Sequence, residues 1–211
     1  MIETFPYSDL YLLNVGILIF SYLLGSISFA ILISKLRGLK DPRGYGSNNP
    51  GATNVLRSGD KVAAFLTLFG DAMKGFLVVF VIRNLYVSDE PNFEEIILIS
   101  GASISVFLGH LFPIFFRFRG GKGVATGGGI LFGVDGFLGL TVFCTWIFAF
   151  SLSKISAYAA LFASFSSLLF ATIFIPLTWH SNYEILILSI WLISLLLFLR
   201  HIGNIQDMLK L

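Results

Sequence analysis

Charge is what this chain has least of. Asp, Glu, Lys and Arg make up 12% of its 211 residues, against 56% hydrophobic residues. A water-soluble domain carries roughly 25% charged residues. A surface so poor in charge cannot face water on every side, so lipid must form part of its solvent. Cysteine is nearly missing as well. The single Cys144 lies inside an apolar run, which excludes an intrachain disulfide and a cysteine metal site. The three histidines, His110, His180 and His201, are far apart. No H-E-x-x-H pattern joins them, so no metal centre is expected. Lys and Arg are absent ahead of the first apolar run, where Glu3 and Asp9 stand instead. That is the wrong sign for the n-region of a signal peptide, and the following run is too long for an h-region. A retained first span is expected. Length, short connections and the lack of repeats predict one integral-membrane domain over 1–211.

Long apolar runs are what the chain does have. A spanning helix takes about 20 apolar residues. Residues 10–36, 62–81, 93–116 and 184–199 qualify plainly, and 137–153 and 156–177 add two more. The stretch 123–134 is apolar and Gly-rich but only about two-thirds of the usual length. A short or partly broken helix is expected there, a form tolerated where it is buried in protein or lines a cavity. The fold expected is therefore an all-α polytopic membrane protein of about seven transmembrane helices, one of them short. Charge tests that count. With seven crossings and a cytoplasmic C-terminus, twelve of the fourteen Lys and Arg fall in cytoplasmic segments. Lys74 lies within a span, and Arg83 alone falls on the far side. That side collects Asp89, Glu90, Glu94, Glu95, Asp135 and Glu184, with Glu3 and Asp9 at an outer N-terminus. The pattern obeys the positive-inside rule, and six spans would blur it.

Three segments on the expected cytoplasmic face are too rich in special residues to be plain connections. The first runs Gly46-Ser47-Asn48-Asn49-Pro50-Gly51-Ala52-Thr53-Asn54-Val55-Leu56-Arg57. Glycines admit a close anion, and successive turn N–H groups make anion-binding nests. Ser, Thr and Asn add neutral donors, and Arg57 adds a charged fork. The segment reads as a phosphate cradle; the alternative is a tight polar turn that only joins helices. The second runs Arg117-Phe118-Arg119-Gly120-Gly121-Lys122-Gly123 and opens the short helix. A lysine among glycines at a helix start is an anion site by geometry and dipole. It is not a Walker loop, since the G-x-x-x-x-G-K spacing is absent. Arg117 and Arg119 read as headgroup-level anchors. The third is Arg200-His201-Ile202-Gly203-Asn204. In a continuing helix His201 and Asn204 would share a face.

Asp71 and Lys74 stand apart, three residues from each other inside the second span. A mid-span charge costs about 2.5–3.5 kcal/mol on insertion scales, so the two must face the interior and be paired. A purely structural pair and a support for the loops from behind both remain open. His180, beside Trp179, reads as an interfacial residue. Nucleic acid is not a partner to expect, because the basic residues line a membrane face without aromatics interleaved for base stacking. A cytoplasmic phosphate site suits a membrane enzyme, a transporter or a lipid-binding subunit. A transporter places polar groups near the midplane, often in two matched halves. Here they gather at one face, which favours the enzyme.

These motifs, with Gly109-His110-Leu111-Phe112-Pro113 and the Asp71–Lys74–Gly75 cluster, closely resemble the bacterial PlsY family of acyl-phosphate:glycerol-3-phosphate acyltransferases. The resemblance runs from about Leu24 to the C-terminus. It implies transfer of an acyl group from acyl phosphate to the 1-hydroxyl of glycerol 3-phosphate, giving lysophosphatidic acid and phosphate at the bacterial cytoplasmic membrane. It implies no cofactor. Docking of an enzyme that supplies acyl phosphate is not legible. By resemblance Ser47, Arg57, Lys122, His201 and Asn204 are the catalytic group. Gly46, Asn49, Thr53, Asn54 and Gly121 bind substrate or shape the loop, and Asp71, Lys74 and His110 support it. The His-x4-Asp signature of soluble-type glycerolipid acyltransferases is missing. One residue departs from the family: Asn48 stands where Gly is usual. Asn tolerates positive φ better than most residues, so the turn is expected to survive.

Overall fold

The structure, a computed structural model, describes residues 7–179 and 181–209. His180, read above as interfacial, and Lys210 lie outside the described residues. All regular elements among the described residues are helical. The apolar runs become α4 (Lys61–Tyr86), α5 (Phe93–Leu111), α7 (Gly136–Ser153), α8 (Ser156–Thr178) and α9 (Tyr183–Arg200). Each is long and apolar enough to cross a membrane, α5 together with the turn that follows it. The first run gives α1 (Tyr7–Gly25) and α2 (Phe29–Leu36), bent by 46° and forming a sixth candidate span as a pair. The glycine-rich stretch forms α6 (Val124–Val134), an intact helix of 11 residues. Two smaller pieces, α3 (Ala52–Leu56) and α10 (Ile202–Leu209), flank the polar loops.

The break therefore lies in the first run and not in the glycine-rich one. At Gly25-Ser26-Ile27-Ser28 the chain tightens: Ser26 N donates to Tyr22 O (2.9 Å) and Ile27 N to Leu24 O (3.2 Å). Carbonyls freed at such a break need partners, because hydrocarbon offers none. Lys74 supplies them, donating from Nζ to Gly25 O (2.9 Å) and Ile27 O (2.8 Å). The mid-span lysine that the sequence pairs with Asp71 is thus also the cap of a broken span.

Small residues set the helix crossings. In lipid, helices associate through close van der Waals packing, so interfaces favour Gly. A Cβ on Gly25 would overlap the Val106 carbonyl, and one on Gly109 the Tyr22 carbonyl, so α1 and α5 meet backbone to backbone. Gly75 and Gly129 do the same for α4 and α6 against Thr126 and Ala72. The main core lies among α4–α9, around Phe107, Ile130, Leu138 and Ile190. A second, smaller core of Ala30, Val55, Ala63 and Ala64 ties α2, α3 and α4 together under the first polar loop. Pro113 ends the α5 run early, leaving a single 3-10 turn, Ile114–Phe116. A proline cannot extend the helical ladder.

Candidate active site

Asn54 organises the first loop. It is 2% exposed, and its amide donates to Pro42 O (2.7 Å) and Tyr45 O (3.0 Å). Its Oδ1 accepts from Ser47 N (3.0 Å) and lies 3.5 Å from an Arg57 guanidinium nitrogen. A buried amide with both ends engaged holds a turn in one shape. Of the two readings for Asn54, loop shaping is the one the geometry carries. Gly46 (φ 59) leaves no room for a Cβ, which would overlap Asn54 Oδ1. Asn48 sits at φ 54, the left-handed conformation expected where the family has glycine. Ser47 and Arg57 are exposed and Asn49 is half-buried beside Gly51. Thr53 Oγ1 approaches Ser156 Oγ at the start of α8 to 3.3 Å.

The second loop is clamped from two sides. Arg200, at the end of α9, donates to Gly120 O (3.1 Å) and Gly121 O (3.0 Å) and lies over the Phe112 ring at 5.5 Å. From behind, Gly121 N donates to His110 O (3.2 Å), and a Cβ on Gly121 would overlap the His110 ring. Gly123 takes φ 89 as the N-cap of α6. Lys122, half-buried between these fixed points, donates to the Asn204 side-chain oxygen. Gly121 also faces the Pro50 carbonyl of the first loop. Loop one, loop two, the α9–α10 junction and the start of α8 thus gather at one end of the bundle.

His201 does not share a continuous helix face with Asn204. Helix α9 stops at Arg200, His201 is its cap, and α10 starts at Ile202. Its ring is 2% exposed, with Nδ1 2.9 Å from Leu197 O. A carbonyl can only accept, so Nδ1 carries the proton and Nε2 the lone pair. Burial pushes the His201 pKa down to about 4, with the nearby Lys122 and Arg200 charges acting the same way and the Leu197 bond opposing them. Behind the loops, Asp71 and Lys74 are each 2% exposed. They lie 2.9 Å apart as an ion pair, and His110 Nδ1 is 3.5 Å from the same carboxylate oxygen. Thr126 Oγ1 donates to Asp71 O (2.9 Å) and ties α6 to this group. The Asp71–Lys74 pair meets the backbone on two sides. It closes the α1–α2 break, and through His110 it backs Gly121.

A family model described as glycerol-3-phosphate acyltransferase matches residues 15–211. The chain belongs to that family. Glycerol-3-phosphate acyltransferase of Bordetella pertussis is 45% identical over 195 residues, covering 92% of this chain and 88% of the relative. That of Burkholderia multivorans is 46% identical over 189 residues, covering 90% and 84%. The fold is similar to the crystal structure of PlsY (YgiH), an integral membrane glycerol 3-phosphate acyltransferase, in its glycerol 3-phosphate form. The TM-score is 0.83 at 33% identity, over 93% of this chain and 92% of that one. Its lysophosphatidic acid form superposes with a TM-score of 0.81. In this acyltransferase fold, two side chains at the gathered loops had no distinct reading in the sequence. They are Arg200, which stands in the third segment without a role of its own, and Ser156, the first residue of the run 156–177. For Arg200, the glycine pair facing it was the available signal, since bare glycine carbonyls need donors.

Proposed function

We propose that this acyltransferase moves an acyl group from acyl phosphate to the 1-hydroxyl of sn-glycerol 3-phosphate, the first acylation of phospholipid synthesis. The observation that carries the reading is the clamped Gly120-Gly121-Lys122 loop with its lysine on Asn204. That places a fixed cation among backbone donors where apolar helices give way to polar loops. One substrate has a fatty tail and the other is water-soluble, so the reaction belongs at such a boundary. Both carry phosphate, which calls for more than one anion-binding element. Loop one with Ser47 and Arg57 and loop two with Lys122 are those elements. Opposite charge and oriented N–H groups there lower the energy of the transition state as negative charge develops.

In the step itself the 1-hydroxyl oxygen bonds to the acyl carbon. The carbon–oxygen bond to phosphate breaks, and phosphate leaves with the electron pair. The hydroxyl proton goes to the departing phosphate, so no protein base is required. Neutral His201 and Asn204 orient the acceptor. The one histidine–carboxylate approach among the described residues, His110–Asp71, lies in the interior behind Gly121. An acyl phosphate is a mixed anhydride and needs less activation than an ester. The distribution of Lys and Arg favours a site on the cytoplasmic face with the N-terminus outside, and the family resemblance suits a bacterial inner membrane. Acyl phosphate labelled with 18O at its bridging oxygen tests the bond order. Label recovered in inorganic phosphate alongside lysophosphatidic acid is expected. Label recovered in fatty acid would mean attack at phosphorus and would overturn the step.

A further inference from the structure

A groove of about 750 Å3 opens between the two phosphate-seeking loops, and Lys122, Arg57, His201 and Asn204 do not line it. Its walls come from Asp41, Arg43, Asn48 and Pro50 on one side, with Ser47 outside the lining, and from the stretch 115–120 on the other, and they present Arg43, Arg117 and Arg119. Arg43 is already answered by Asp41, through Nη2–Oδ2 at 2.7 Å and Nε–Oδ1 at 3.0 Å. Arg117 and Arg119 are exposed, and neither guanidinium has a hydrogen bond or ion pair with a described residue. The backbone that presents them is unusual. Arg117 (φ 56) and Phe118 (φ 59) are consecutive left-handed residues without glycine, a conformation that bulky side chains rarely adopt. Phe116 N and Phe118 N hold the turn by donating to Pro113 O at 3.1 and 2.9 Å. Beside the arginines, Ile114, Phe115 and Phe118 are exposed apolar side chains where the α5 span ends. Arginines at a span end reach to the headgroup level of a bilayer while apolar neighbours stay against its hydrocarbon.

We propose that this groove is a second anion site, separate from the catalytic group, which seats the headgroup of an anionic phospholipid from the surrounding bilayer. Arg117 and Arg119 hold its phosphodiester, and its tails leave past Ile114 and Phe115. The volume suits a lipid headgroup and is far larger than inorganic phosphate needs. The apolar wall serves no free phosphate, and the Asp41 carboxylate repels a dianion more than a singly charged diester. Occupancy has a consequence, which rests on the proposed reaction. The two walls continue directly into Ser47 and Arg57 on one loop and into Lys122 on the other. A lipid bridging them draws both anion-binding elements together, so acylation rises with the anionic fraction of the membrane.

The test is lipid retention by purified full-length protein, read by native mass spectrometry in detergent with phosphatidylglycerol and phosphatidylcholine as probes. Wild type retains phosphatidylglycerol in preference. R117Q/R119Q loses that preference by roughly 25-fold, about fivefold for each basic residue near an anionic lipid. Lys122→Ala retains it. Equal retention by wild type and R117Q/R119Q overturns the site. Loss of retention in Lys122→Ala also overturns it, because the lipid would then occupy the catalytic group. In vesicles of phosphatidylcholine with increasing phosphatidylglycerol, wild-type acylation rises. R117Q/R119Q stays at the rate that wild type shows in neutral lipid. A parallel rise in both overturns the coupling. A wild type inactive in every lipid would refute the proposed reaction alone, since retention is read without turnover.

Discussion

Replacing Lys74 by Met tests how the buried charges hold the broken span. Met fills the stem volume but removes the ammonium group. Two carbonyls at the break, Gly25 O and Ile27 O, lose their donor, and Asp71 loses its partner at 2.9 Å. Hydrogen bonds from a charged donor contribute about 1.5–3 kcal/mol each, though two from one group do not add fully. Breaking a buried ion pair from one side costs about 3–5 kcal/mol, because the other charge stays buried. The terms overlap, and a loss of about 4 kcal/mol is expected for Lys74→Met. Asp71→Asn with Lys74→Met removes both charges and leaves only the orphan carbonyls, so about half of that loss should return. Unfolding in mixed micelles, followed by the fluorescence of Trp146, Trp179 and Trp191, reads both variants. Turnover of the folded Lys74→Met protein should also fall, since His110 shares Asp71 and backs Gly121. A Lys74→Met protein within about 1 kcal/mol of wild type, or a double variant no better than the single, would refute this account of the pair.

Lys122→Ala or Arg57→Ala should lower kcat by about 100- to 1,000-fold, the usual loss of one preorganised donor to developing charge. Both variants should still fold in detergent, and normal turnover in either would remove that residue from the catalytic group. Asn48→Gly should leave turnover unchanged and stability within about 1 kcal/mol, because the position already holds φ 54. A large loss of turnover would mean that the Asn48 amide itself acts. His201, held near pH 4 by burial, stays neutral in the folded protein, while in the unfolded chain it takes a proton near its ordinary pKa of about 6.5. Stability is therefore unaffected by His201 above that value and falls as pH drops from about 6.5 towards 4. The rate should show no His201 inflection between about pH 5 and 8, a window that lies above its folded pKa. An inflection there that vanishes in His201→Gln would contradict both the neutral histidine and proton transfer to phosphate.

The spans were legible because a lipid-facing helix must be apolar over about 20 residues, and runs 62–81 to 184–199 say so directly. Residues 10–36 misled for the same reason. That run reads as one helix because no proline interrupts it and its one charge, Lys35, stands at its end, and the bend depends on a lysine 49 residues beyond Gly25. The hint was present in two halves, a Gly-Ser-Ile-Ser stretch and a mid-span lysine three residues from Asp71. Nothing local joins them. Site residues were legible where glycine, lysine and asparagine stand in dense motifs. The roles within them were not. Asn54 lies in the motif next to Thr53, yet one is buried and engaged on every side while the other is exposed. Burial depends on how loop 42–57 folds over α2 and α4, and motif spacing does not encode that. In a continuing helix His201 and Asn204 would share a face, but α9 ends just before His201, whose ring turns back to Leu197, and Asn204 belongs to α10.

The identity of the donor is the most direct test of the central claim. Purified protein in lipid would be given glycerol 3-phosphate with acyl phosphate, acyl-CoA or acyl carrier protein in parallel, and both phosphate and lysophosphatidic acid would be measured. The account predicts phosphate release that depends on glycerol 3-phosphate, one lysophosphatidic acid for each phosphate, with acyl phosphate alone. Turnover with either thioester at a comparable rate would contradict it.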